Sequence, residues 1–464
     1  MKKYLFFAAA GLCLFSACSN DEDPILKEGG NEGTAEQTIV LKVASTGDNF
    51  IETRAGRPLY SSEANQTIDK VKIMIYSDAD KSIKAVKEIS NWSTDAVSDI
   101  YKTNGHGRES SWTLKGDDKL TQGTYKVIAV GYTSTGDYAT SLSTFNGYTK
   151  DGTISLPLTA AIAGDATAAE EIFAGEISGI TVGADGAFDL TTNATNNVLT
   201  LHRQVAGTFG YFTGIPAKDV NGTTDAATLR LVSSNINTKL FMNNFNSSFK
   251  TTGTDVKYIV NGTTASTATK VKFSDGKDGF TVYSIALNEW FNGASMDDKN
   301  SKGESTGDGI LDSHDTWKQA ISATNGTPEF AKGSVFGGSF LIPFVASTTA
   351  NTFELQLVAV DGTILRHWNI KLASDDAQYT TNENANKVSV VDGADGSYAN
   401  NTANETLDKY SVVRNHLYTI GKRTLDNPEV PGTDPDKPVD LSKAQDIIIK
   451  VNDNWEVLHE LVVD

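Results

Sequence analysis

Hydrophobic and polar residues alternate along much of this chain. Gln37-Thr-Ile-Val-Leu-Lys-Val43 puts Ile39, Leu41 and Val43 on one face and reads as a strand. Thr67–Tyr76 does the same with Val71, Ile73 and Ile75. The stretch after it, ending near Trp112, has no clean period and reads as irregular. Leu120-Thr-Gln-Gly-Thr-Tyr125 then leads into Lys126–Tyr132, a turn followed by a strand. Val198–Tyr211 carries Leu199, Leu201, Val205 and Phe209 and is strand-like. In the second half, Leu229–Val232, Val256–Val260, Phe280–Leu287, Phe340–Phe344, Thr352–Val360 and Leu365–Leu372 are strand candidates, and Tyr410–Ile420 closes the series. Residues 293–315 and 375–405 are polar and read as long loops.

The chain ends on an echo of its first strand. Gln445-Asp-Ile-Ile-Ile-Lys-Val451 repeats the Gln, Ile, Lys and Val of residues 37–43 in the same places. Ile447, Ile449, Val451, Trp455, Val457, Leu461 and Val463 all fall on one parity, with a bend expected at Asp453-Asn454. Two strands with one apolar pattern can compete for one groove. Pro428, Pro431, Pro435 and Pro438 precede the echo and predict a semi-rigid extended tether. The last 39 residues hold ten acidic residues and three lysines, yet the apolar face would not stay in water.

Composition narrows the class. A chain of 464 residues suggests two ordinary domains or three small ones, and the turn-rich Gly214–Thr224 suggests a boundary near 220. Recurrent alternation between Gly, Asn, Ser and Thr clusters predicts an all-β fold. The net charge of −18 argues against nucleic acid and against electrostatic docking on anionic lipid. Cys13 and Cys18 are the only cysteines, so no disulfide or thiolate chemistry is available beyond residue 18.

The first residues read as a secretory leader: Lys2 and Lys3, an apolar run from Leu5 to Phe15, then Ser16-Ala17-Cys18. The run is too short for a permanent span. A Cys after small residues resembles a bacterial lipobox, which implies cleavage before Cys18 and its acylation; an ordinary signal peptide with an incidental Cys is the alternative. Ser19-Asn-Asp-Glu-Asp23 resembles the acidic surface-export tag of Bacteroidetes lipoproteins. Arg54 stands before Ala55 in a polar, strand-poor stretch, the kind of site proteases cut. Arg57 precedes Pro58, which trypsin-like enzymes disfavour.

No catalytic constellation stands out. His106, His202, His314, His367, His416 and His459 show no ligand spacing, and no nucleophile elbow or phosphate loop is present. Asp308, Asp312, His314 and Asp315 cluster without EF-hand spacing, as a solvated loop or an adventitious calcium site. Trp290, Trp317 and Trp368 are core residues or a sugar platform. Neither an enzyme nor a cofactor or metal site is expected.

Taken together, Leu120-x-x-Gly-x-Tyr125, Ala169-Glu-Glu-Ile-Phe-Ala-Gly-Glu176, Leu201-His-Arg-Gln-Val-Ala206 and Arg414-Asn-His-Leu-Tyr-Thr-Ile420 resemble the fimbrillin family of Bacteroidales, subunits of type V pili. The resemblance implies two tandem transthyretin-like β-sandwich domains with a C-terminal donor-strand extension. It implies export as a lipoprotein to the outer membrane, a cut after an Arg by a trypsin-like protease, and polymerisation on the cell surface. It also implies adhesion as the role. Partners would be copies of the chain and related anchor and tip pilins. The tail points to a stalk subunit. The expected layout is a signal at 1–17, a lipidated propeptide at 18–54, domains at 55–220 and 221–425, and a linker with donor strand at 426–464. A non-polymerising surface lipoprotein, as anchor, tip adhesin or glycan binder, is the alternative.

Overall fold

The computed structural model describes residues 37–43, 68–92, 108–190, 197–242, 261–291, 298–304, 307–318, 331–344, 352–372, 389–391, 398–400, 412, 414, 417–421, 438–443 and 446–452. Over these residues the chain is all-β, with only short helical turns. In the first half come β1 (Gln37–Val43), β2 (Lys70–Ser77), β3 (Ile83–Ile89), β4 (Arg108–Leu114) and β5 (Gly123–Tyr132). Helices α1 (Asp137–Ser141) and α2 (Ser143–Gly147) follow, then β6 (Thr159–Ala161), β7 (Phe173–Val182) and β8 (Val198–Arg203).

Seven of these strands run in the order β3-β2-β5-β7-β8-β1-β4. The seam between β7 and β8 is short, with Phe173 opposite Arg203 and Ala174 opposite His202. The two leaves on either side of the seam share one core. Ile39 and Leu41 of β1 and Leu199 and Leu201 of β8 meet Val71, Ile73 and Ile75 of β2 and Val127 and Ala129 of β5. This is a β-sandwich. Strand β2 is buried without a break from Val71 to Tyr76, Lys72 included, because its second face is covered as well. There Met74 and Tyr76 join Ile128, Val130, Tyr138 of α1 and Phe145 of α2. Helices of five residues are far too short to persist alone. They form because Tyr138, Leu142 and Phe145 seal this face.

The second half contains β9 (Ala206–Thr213), β10 (Ile215–Pro216), β11 (Thr228–Ser233), β12 (Asn237–Phe241), β13 (Gly262–Ala265), β14 (Val271–Lys272) and β15 (Asp278–Ala286). It continues through α3 (Leu287–Trp290), β16 (Ile310–Leu311), β17 (Val335–Leu341), β18 (Phe353–Val358), β19 (Ile364–Leu372), β20 (Ser389–Val391) and β21 (Tyr398–Asn400). It ends with β22 (Leu417–Ile420), β23 (Val439–Asp440) and β24 (Asp446–Asn452). The main path is β14-β15-β11-β18-β19-β24-β22-β9-β17, with β23 alongside β9. Phe212, Leu229, Leu231, Ile285, Phe336, Leu355, Leu357, Trp368, Tyr418 and Ile447 share its core, a second sandwich.

The halves are stitched together. β6 of the first pairs with β12, which pairs with β13. Leu240, Met242 and Ile342 enter the core on the outer face of β2 and β5.

Several sequence expectations change. Val198–Tyr211 is two strands, β8 in the first sandwich and β9 in the second, so the chain passes between the sheets at Gln204-Val205. Gln204 makes the crossing possible. Its main-chain N–H donates to Ile172 O at 2.8 Å and its Nε2 to His202 O at 2.7 Å, so the main chain there stays satisfied between sheets. The turn-rich 214–224 stretch lies inside the second half, beside the pairing of β10 with β16. β3 and β4 occupy a stretch read as irregular. β4 is Arg-Glu-Ser-Ser-Trp-Thr-Leu, with apolar residues only at Trp112 and Leu114. It is a strand because β1 pairs along its whole length. Val256–Val260 lies outside the described residues.

Candidate functional site

The most informative site is the seat of β1. Antiparallel to β4, all seven residues are in register, from Gln37 opposite Leu114 to Val43 opposite Arg108. On the other side Val40–Val43 pair in parallel with β8, Val40 opposite Val198 and Val43 opposite Leu201. β1 is therefore the element that joins β4 to the sheet. Its alternation is realised: Ile39 and Leu41 are buried in the core, while Thr38 and Val40 are half-buried on the outer side. Burying two such side chains stabilises by about 1.5–3 kcal/mol each.

Gln37 was expected only as a strand residue, and the structure gives it more. Its side chain is buried, and its amide makes three main-chain bonds. Nε2 donates to Leu120 O at 2.8 Å and to Gly186 O at 2.7 Å. Oε1 accepts from Leu120 N at 2.8 Å. Asn197 extends the grip: its Nδ2 donates to Thr38 O at 2.8 Å and its carbonyl accepts from Val40 N at 2.8 Å. The Leu120-x-x-Gly-x-Tyr125 motif shapes the loop that meets Gln37. The Tyr125 hydroxyl donates to Thr121 O at 2.9 Å, next to Leu120.

The tail strand β24 occupies a related seat in the second sandwich. It too runs parallel to one neighbour and antiparallel to another. Asp446–Ile449 pair with Asn369–Leu372 of β19, and Lys450–Asn452 pair with Thr419–Leu417 of β22. Ile447 lies opposite Ile370 and is buried in the second core. Ahead of it, Val439 and Asp440 run along β9, and Leu441 is buried. In the single chain β24 is part of its own sandwich, with Ile447 and Leu441 buried there.

Of the other expected site residues, Val43, Ile449 and Val451 are placed by strand pairing. Cys18, Arg54, Ala55, Trp455, Val457, Leu461 and Val463 lie outside the described residues.

Three of the four motifs behind the family resemblance, those of Glu171, Arg203 and Arg414, meet where the two sandwiches join. Glu171 and Arg203 form a fully buried pair, Oε1 to Nη2 at 2.6 Å and to Nε at 2.9 Å. The guanidinium lies 4.9 Å from the Phe173 ring centroid. Beside it, Gln204 Oε1 accepts from Arg414 Nη1 at 3.2 Å, and Gln204 O accepts from Asn261 Nδ2 at 3.2 Å. Sequence reading found these segments and not their meeting, since they lie far apart in the chain.

The remaining candidates resolve as structural. Asp315 accepts from Lys299 N at 2.6 Å and Asp312 N at 2.5 Å, and Asp298 accepts from Gly309 N at 3.0 Å. Burial pushes both carboxyls above their ordinary range. These carboxylates brace the loop through its main chain. Among the described residues no group of three or more His, Cys, Asp or Glu side chains is placed to hold a metal ion. Trp290 and Trp368 are buried, and Trp317 packs on Trp290 while donating to Ser334 O at 2.7 Å. They are core aromatics, not a sugar platform. No described helix is long and apolar enough to cross a membrane.

No family model matches this chain, and no curated protein matches it. Solved structures similar to it include the tip fimbrial protein Mfa3 from Porphyromonas gingivalis with a C-terminal truncation. That likeness has 10% identity and a TM-score of 0.34, over 84% of this chain and 97% of that one. Another is a fimbrial assembly protein from Parabacteroides distasonis, with 12% identity and a TM-score of 0.33, over 84% and 92% of the two chains. Values this low transfer no residue role.

Proposed function

We infer that this chain is a stalk subunit of a cell-surface fimbria. It is made as a lipoprotein on Cys18, cut after Arg54, and polymerised head to tail. One observation carries the reading: β1 lies between β4 and β8, and the tail repeats its pattern. A cut after Arg54 would separate β1 from the rest of the first sandwich. That would strip the core of Ile39 and Leu41 and leave the inner edges of β4 and β8 unpaired. An extended segment from a neighbour restores both, with main-chain bonds for affinity and pockets for register. Residues 445–451 of a second copy supply Ile447, Ile449 and Val451 at the places of Ile39, Leu41 and Val43. The contact is head-to-tail and does not close, so it builds a filament. Adhesion is the filament's role, with anchor and tip pilins as further partners.

The tail must first leave its own sandwich, and its pairing there suits departure. Among the described residues, Asp446–Ile449 pair with β19 and Lys450–Asn452 with β22, whereas Val40–Val43 of β1 pair on both sides.

A second reading is favoured by the same strand. If β24 stays in its own sandwich permanently, the chain is a self-contained surface lipoprotein, an anchor, tip adhesin or glycan binder. The N-terminus of protein taken from the cell surface separates the two. Ala55 supports the stalk subunit; acylated Cys18 with an intact β1 supports the second reading and refutes the first.

A further inference from the structure

The Gln37 side chain does something that apolar alternation does not require. A strand needs only Ile39 and Leu41 to fill the core, and any slip by two residues would keep the same face inward. Gln37 removes that freedom. Its amide meets one N–H and two C=O groups of the main chain at a fixed place, buried at Leu120 and half-buried at Gly186. Both contacts come from built turns. Tyr125 pins Thr121 beside Leu120, and Gly186 adopts φ 75°, where its N–H donates to Gly183 O at 3.1 Å.

We propose that Leu120 and Gly186 form a carboxamide clamp that reads the side chain two positions before the first apolar residue of any strand entering the β1 seat. The clamp thereby selects a Gln-x-aliphatic-x-aliphatic segment and sets its register. It rests on the strand-insertion reading and adds the partner's sequence requirement. The ligand within this chain is Gln445 of a second copy, which stands before Ile447 and Ile449 as Gln37 stands before Ile39 and Leu41. Gln445 itself lies outside the described residues. The chemistry is narrow. Asn is one methylene short of spanning Leu120 and Gly186. Glu has no N–H to offer two carbonyls and would bring a charge into a buried site. Ala or Leu leaves all three main-chain groups unmet.

The test uses the full chain, processed by a trypsin-like protease and allowed to polymerise. Register is read by cysteine pairs, for which a chain without cysteine after residue 18 is suited. In the seat of β1, Val40 lies opposite the exposed Ser111. The place of Val40 in the tail is Ile448. The clamp predicts an intermolecular disulfide between Ser111→Cys of one subunit and Ile448→Cys of the next. Adding Gln445→Ala should move the bond to cysteines at 109 or 113 and speed polymer dissociation about 100-fold. Gln445→Glu should be worse than Gln445→Ala. Unchanged register and dissociation in both variants, with polymers still lost on deleting residues 444–464, overturns the clamp and leaves strand insertion standing. Polymers that survive the deletion overturn both. Gln37→Ala in the uncleaved chain is the second arm. It should lower the melting temperature of the first sandwich, and no change refutes the clamp directly.

Discussion

Strands β1 and β24 share a pattern and differ in how they are held. β1 lies one strand in from the edge of its sheet, paired along its whole length with β4 and over Val40–Val43 with β8 as well. The buried amide of Gln37 locks its start. β24 spans a seam in the second sandwich, bonded first to one leaf and then to the other. Among the described residues, the same side-chain alternation is therefore held by partners on both sides at Val40–Val43 and by one partner at a time along β24. Apolar pattern decides which face turns inward; the number and placement of main-chain partners decides how readily a strand leaves. A subunit that must keep one strand until a protease acts, and surrender another to a neighbour, needs this inequality.

The strongest way to break the comparison is to remove the tail. Processed chain lacking residues 444–464 should form no heat-resistant ladders on gels, and persistent ladders would end the donor-strand reading. Next in size is the junction between the sandwiches. Arg203→Met leaves the Glu171 carboxylate buried without its closest cation, and should cost about 3–5 kcal/mol by denaturant unfolding. A loss below about 1 kcal/mol would show that the two seats are not braced through this pair.

A direct contrast comes from truncating one core residue in each strand. Leu41→Ala and Ile447→Ala should each cost about 2–5 kcal/mol in the uncleaved chain, with Ile447→Ala the cheaper. The reverse order would mean that β24 is the better anchored strand. Amide hydrogen exchange sharpens the point without mutation: β24 should exchange before Val40–Val43 of β1, by local opening. The smallest effect is expected on the outer side of β1, where Val40→Thr should cost less than about 1 kcal/mol.

Much of this was legible in the chain. β1, β2, β11, β15, β18 and β19 stood out because one or both faces of each are apolar at period two, and a core exists to receive them. β4 did not, since Arg108–Leu114 is mostly polar and becomes a strand only by pairing with β1. Val198–Tyr211 reads as one strand-like stretch, and the passage between sandwiches inside it carries no apolar signal. Gln204-Val205 marks the change by side-chain bonding that no local pattern announces. Of the candidate site, the shared heptapeptide was visible and the clamp was not. A glutamine at the head of a strand looks like any polar residue until its partners, Leu120 and Gly186, are brought to it.

By itself the sequence determined the all-β class, the inward placing of Ile39, Leu41 and Ile447, and the likeness between β1 and β24, because these depend on side-chain hydrophobicity at fixed backbone periods. Tertiary structure alone decided which strands flank each copy, where the chain passes between sandwiches, and that Gln37 is buried against Leu120 and Gly186. Those outcomes depend on main-chain groups far apart in the chain finding each other once water is excluded, and no local pattern encodes that meeting.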